Sequence, residues 1–145
     1  MSSVAHVVTA ADQLLWPGVV GVVNSLRRNT RSPERLRVHA IVSEGSVANF
    51  TIFLRCHGLT ATLGTDTAAA AAAVHVHAMR AGLLPEAQVH ARRTTNGNLA
   101  SPLNFARFQL AQLLPGVARV LYVDADVVVQ GDAVELLRSA LAPGE

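Results

Sequence analysis

Two aspartates one residue apart, Asp124 and Asp126, follow an apolar run at residues 119–123 and carry the strongest promise of chemistry in the chain. Alternate side chains of an extended backbone point the same way, so a strand continuing through Ala125 aims both carboxylates at one ion. A hard divalent cation takes one or two carboxylates and completes its shell with water and substrate phosphates. The implied ligand is a diphosphate, and the implied chemistry is group transfer, in which the ion offsets charge that builds on a departing nucleoside diphosphate. Asp12 follows a second apolar run, at residues 5–10. Asp-x-Asp also occurs in turns and helix caps. What favours the binding reading is position, because open parallel sheets bind ligands beyond the carboxyl ends of their strands.

Positioning those residues requires a sheet, and the hydrophobic pattern predicts strands at residues 5–10, 36–42, 59–63 and 119–123. Helices are predicted between them. Pro17 suits a first helical turn, and Val19, Val20, Val22, Val23 and Leu26 supply an apolar face behind it. A second helix spans residues 47–57, with Gly58 ending it in a left-handed conformation. A third, capped by Thr65 or Asp66, runs through the alanine tract at 68–73 to Arg80. Ser101 caps a fourth that enters at Pro102, carries Leu103, Phe105, Ala106, Leu110, Leu113 and Leu114, and stops at Pro115-Gly116. Asp132 caps a last one with Val134, Leu137 and Leu141. Strands alternating with helices predict an α/β fold with an open, mainly parallel sheet and flanking helices. The alanine-rich stretch, around 64–100, reads as a variable peripheral insertion, and Asn96-Gly97-Asn98 marks a turn or loop within it that could lie over a ligand.

Composition narrows the function. The chain has 145 residues, enough for one domain with one core. All 12 basic residues are Arg, so the lysine of a phosphate-binding P-loop and any Schiff-base lysine are excluded. A net charge of +2 with scattered arginines gives no nucleic-acid footprint; the cluster Arg27, Arg28, Arg31, Arg35 and Arg37 reads as solvated helix-end charge. No apolar run reaches the roughly 18 residues that cross a bilayer, so no membrane contact is expected from this segment. No signal peptide is read at the start. Cys56 is alone, and a core position is expected for it. His75-Val76-His77, placed on a helix, would diverge, so a surface pair is expected there and with His90, not a zinc site. His39 reads as a packed strand histidine. The sequon Asn49-Phe50-Thr51 is a chance match by default, and no Gly-x-Ser-x-Gly nucleophile elbow occurs.

Three stretches together resemble glycosyltransferase family 8: Leu103-Asn104-Phe105-Ala106-Arg107-Phe108, Leu113-Leu114-Pro115, and Val120-Leu121-Tyr122-Val123-Asp124-Ala125-Asp126-Val127-Val128-Val129-Gln130-Gly131-Asp132. The N-terminal Val7-Val8-Thr9-Ala10-Ala11-Asp12, with Asn24-Ser25-Leu26, is similar to the family's nucleotide-binding start. The wording is nearest to galacturonosyltransferase-like and glycogenin-like members. The resemblance implies the nucleotide-diphospho-sugar GT-A fold, a UDP-sugar donor, a divalent cation that is usually Mn2+, transfer with retention of anomeric configuration, and a glycan or polysaccharide acceptor. It places Asp124 and Asp126 at the metal, Ala125 beside the ribose, Arg107 at the donor and Ala11 with Asp12 at the uracil. It also points to the Golgi lumen. From residue type alone, Arg107 suits a fork for diphosphate or sugar oxygens or a salt bridge on a helix surface.

Two departures stand out. Leu15 occupies a donor-side position where many members of the family carry an aromatic ring, so base stacking is lost there. The family's third metal ligand, a downstream His, and its acceptor half would fall beyond Glu145. The chain therefore reads as a C-terminally truncated part, 1–145, of a catalytic domain, impaired or inactive alone. The rival reading is an inactive nucleotide-sugar-binding remnant or interaction module with the same fold.

Overall fold

The computed structural model describes residues 4–64, 73–79 and 101–139. Five parallel strands form one sheet: β1 (Ala5–Ala10), β2 (Leu36–Ser43), β3 (Thr60–Leu63), β4 (Ala73–Met79) and β5 (Val120–Tyr122), in the order β3-β4-β2-β1-β5. Val8 stands opposite His39 on one side and Tyr122 on the other, which fixes the register of the central strands. Each of β1, β2 and β4 is covered on both faces, as parallel strands between helices must be.

Helices α1 (Trp16–Asn29) and α2 (Val47–Cys56) cover one face. Pro17 sits in the first turn of α1, and Trp16, Val19, Val22, Val23 and Leu26 are buried along one side of it. They meet Val7, Val38, Val42 and Val76 from the sheet and Phe50 and Leu54 from α2 in one core cluster. Each fully buried Val, Leu or Phe contributes roughly 1.5–3 kcal/mol relative to exposure. The short α4 (Ala133–Arg138) adds Ala133 and Val134 to this cluster. On the opposite face, Val8, Ile41 and Met79 pack under Leu103, Ala106 and Leu114. Leu103 and Ala106 come from a 3-10 helix, Pro102–Gln109, and Leu114 follows the one-turn α3 (Leu110–Leu113).

Most element positions agree with the sequence pattern to within one or two residues. Gly58 is left-handed at φ 72 where α2 ends. The Asp132 carboxylate accepts hydrogen bonds from the Val134 and Glu135 amides at 2.9 and 3.3 Å, as an N-cap should. The exception is the helix expected from the alanine tract to Arg80, because residues 73–79 are a strand between β2 and β3. Alanine's helix preference is a weak local term, whereas Val74 and Val76 on one face and the histidines on the other give a period of two that the sheet rewards by burial. The remainder of the expected insertion and His90 lie outside the described residues, as does Leu141. The segment after Ser101 winds as a 3-10 helix for most of its length instead of as an α-helix. Cys56 is exposed at the end of α2, not packed in the core. Among the described residues no helix is long and apolar enough to cross a membrane.

Candidate donor site at the carboxyl edge

From β1 the chain crosses to β2 on one side, while β5 lies on the other, so the carboxyl ends of β1 and β5 flank a topological switch point. Such a point leaves a crevice between diverging connections, the place where open α/β sheets take ligands. Ala11-Asp12 leaves β1 there, and Asp124-Ala125-Asp126 follows β5.

The geometry of the Asp-x-Asp segment is not the one that strand alternation predicts. Val123 still donates to Val8 O at 2.9 Å, continuing the ladder, but Val127 then donates back to Asp124 O at 3.2 Å and closes a tight turn. Extended geometry therefore ends before Ala125. The turn nonetheless sorts the side chains: Ala125 is 3 % exposed and packs in the core, while Asp124 and Asp126 face solvent. A β-carbon on Gly18 of α1 would collide with the Ala125 carbonyl oxygen, so the helix backbone and the turn lie in direct contact. Two solvent-facing carboxylates suit a hard cation that keeps water and substrate oxygens in its shell. Among the described residues no group of three His, Cys, Asp or Glu side chains forms a fuller ligand set.

Arg107, on the 3-10 helix over the other face, reaches the same spot. Its Nη2 lies 3.5 Å from Asp124 Oδ1, and its guanidinium sits 4.9 Å from the centre of the Tyr122 ring. The side chains of the ion pair are 49 and 63 % exposed, so the pair contributes at most about 1 kcal/mol and matters through where it holds the charge. Burial raises the Tyr122 phenol above its ordinary range, and the Arg107 charge beside it partly offsets that rise.

On the β1 side, Ala11 is buried in the core at the strand end and donates its amide to Ile41 O at 3.1 Å. Asp12 is extended, and its carbonyl, not its carboxylate, accepts from the Leu15 amide at 3.0 Å. Its Oδ1 is buried with no hydrogen-bond partner, a costly state unless a ligand donor meets it. Leu15 is 44 % exposed in the turn before α1. Arg107 and Asp124 are thus brought into contact, with Asp126 two residues on; Asp12, Ala11 and Leu15 stand at the neighbouring strand end.

Sequence reasoning did not single out Gly18, Asn29 or the role of Ser25. Asn29 donates to Val129 O at 2.8 Å, and the Ser25 hydroxyl accepts from Val129 N at 3.0 Å. These contacts lie about 100 residues apart in sequence, and no local pattern announces them. The histidines also differ from expectation. His75 and His77 are buried in β4, on a strand where residues two apart share a face, and His77 Nε2 lies 2.9 Å from His39 Nδ1.

Comparison with known proteins accords with this geometry. The model of "Glycosyl transferase family 8" matches residues 6–144. Glycosyltransferase 8 domain-containing protein 1 of Bos taurus is 29 % identical over 142 residues, covering 95 % of this chain and 33 % of the relative. Its Homo sapiens counterpart is 48 % identical over 48 residues, 33 % of this chain and 13 % of that protein. The chain thus spans at most about a third of the length of these curated relatives. The apo structure of the bifunctional glycosyltransferase WbbM shares the fold, with a TM-score of 0.59 and 19 % identity over 97 % of this chain and 22 % of that one. A match that runs from the first strand past the last helix, over a sheet whose acidic turn sits at the switch point, makes this chain a member of glycosyl transferase family 8.

Proposed function

We propose that the chain forms the donor-binding part of a metal-dependent, retaining glycosyltransferase that takes a UDP-sugar and passes its hexosyl group, with galacturonosyl one candidate, to a glycan or polysaccharide acceptor in the Golgi lumen. The observation that carries this reading is the pair of solvent-facing carboxylates on either side of buried Ala125 at the switch point. A bound divalent cation, Mn2+ by family likeness, would supply Lewis-acid stabilisation of the diphosphate leaving group. Asp124 and Asp126 would hold that ion. Arg107, anchored against Tyr122 and Asp124, presents guanidinium donors to diphosphate or sugar oxygens. The unpartnered Asp12 oxygen can accept the N–H of a uracil, while Ala125, set beside the ribose by family likeness, would face it with backbone only because its side chain is packed against α1.

Leu15 favours a second reading, a binding remnant without turnover, because an exposed leucine offers a base no aromatic face. One titration separates the two. Calorimetry of UDP with and without manganese(II) should show binding that depends on the ion in both readings, and UDP release from a panel of UDP-hexoses, assayed on the full-length protein, should occur only in the catalytic one. UDP binding indifferent to manganese would end both.

A further inference from the structure

Helix α1 touches the segment that follows β5 at three levels. At its start, Gly18 meets the Ala125 backbone, and any side chain there would strike the carbonyl oxygen. Two turns on, Ser25 Oγ accepts the Val129 amide at 3.0 Å while donating to Val22 O at 2.9 Å. One turn further, Asn29 Nδ2 donates to Val129 O at 2.8 Å and to Ser25 O at 3.0 Å. Both backbone groups of Val129 are therefore held by side chains of one helix, as a neighbouring strand would hold them. Past the helix end, the Arg31 amide donates to Asp132 Oδ2 at 3.0 Å.

The acidic turn closes with the Val127 amide on Asp124 O, and two residues later the chain is held again on α1 at Val129. Position is fixed at Ala125 by contact and at Val129 by two hydrogen bonds, and Asp126 lies between the two fixing points. A loop bearing two carboxylates repels itself and is free to turn either one away; pinning it at both ends removes that freedom before any ion arrives.

We infer that Gly18, Ser25 and Asn29 form a clamp on α1 that positions the Asp124–Asp126 turn for cation and diphosphate binding, acting as positioning residues that touch neither ligand. This rests on the donor-site reading above, and it adds that cation affinity is set in part from a helix that contributes no ligand. Ligand-orienting partners of this kind are worth about 10- to 100-fold in metal affinity.

The test combines Ser25→Ala with Asn29→Asp, the second keeping the shape of the side chain while replacing its donor by an acceptor. The expected result is manganese(II)–UDP binding weakened about 10-fold, with faster amide hydrogen exchange at Val127 and Val129 and no change in the amides of β2. Ser25→Thr, which keeps the hydroxyl, should hold both near the parent values. Unchanged exchange at Val127 and Val129 overturns the clamp, and so does faster exchange with undiminished manganese–UDP affinity. If the parent chain binds manganese–UDP no better than its Asp126→Asn variant, the donor-site reading fails and the positioning role fails with it, whereas exchange still reports whether α1 holds the loop. Gly18→Ala adds a steric version: it should shift the same amides, and exchange unaltered by it counts against contact at Ala125.

Discussion

Two polar regions of this sheet are built on opposite plans. Across the face beneath the 3-10 helix, His6, His39 and His77 are joined ring to ring by contacts of 2.9 Å, with His75 stacked 5.1 Å from His39 and bordering Thr62. The ring nitrogens of His39 are both engaged by its neighbours, while His6, His39 and His75 also line a pocket with Arg37 and Val117. At the carboxyl edge, Asp124 and Asp126 face solvent, Asp12 keeps a buried oxygen without a partner, and a single long ion pair to Arg107 is the strongest contact among the four. Polar groups that satisfy each other hold a fold together, and polar groups held in place but left unsatisfied await a ligand.

Substitutions on each side should separate the two plans. The largest effect is expected from Asp124→Asn combined with Asp126→Asn: manganese–UDP affinity should fall about 100-fold or more, with the thermal midpoint nearly unmoved, as calorimetry and thermal melts would register. His39→Leu is the mirror image. It strips His6 and His77 of a shared partner and should lower stability by about 1–3 kcal/mol in denaturant titrations, while manganese–UDP affinity stays within about twofold.

Acid sharpens the contrast. Burial holds His39 down to about 3 and His77 to about 4, both from an ordinary value of 6.5, with like charge from neighbouring histidines adding to it and Arg37 also facing His39. The unfolded chain takes up protons near pH 6.5 that the folded one refuses until about pH 4 to 3, so stability is fully present above 6.5 and declines as the pH falls below it. Urea midpoints measured from pH 7 to 4 should drop steadily, and less steeply in His39→Leu. The smallest effect belongs to Asp132→Ala, which removes the cap of α4 and the bond to the Arg31 amide and should cost about 1 kcal/mol by the same titration.

Much of this was readable beforehand, for reasons that differ by element. β1, β2 and β5 are short apolar runs bounded by breakers, and Asp132 is a cap with the residues a cap requires, so local chemistry sufficed. Residues 73–79 misled because the alanine tract at 68–73, which runs into the strand, favours helix locally while only the partners β2 and β3 reveal a strand. The acidic pair was placed at the correct edge on an incorrect rationale: alternation ends at Val123, and a turn sorts the side chains instead. The contacts of Gly18, Ser25 and Asn29 had no signature at all, since each depends on a segment about a hundred residues away.

The placing of β4 between β2 and β3 carries a lesson about assembly. As the chain is made, β3 is complete before the strand that will join it to the sheet exists, and until then its tie to the rest is through α2. The β1–β2 pair and its helix can form early, but the outer end of the sheet must stay open to admit a later arrival into its middle. A late-inserting interior strand makes closure of the sheet a cooperative event that awaits residues 73–79.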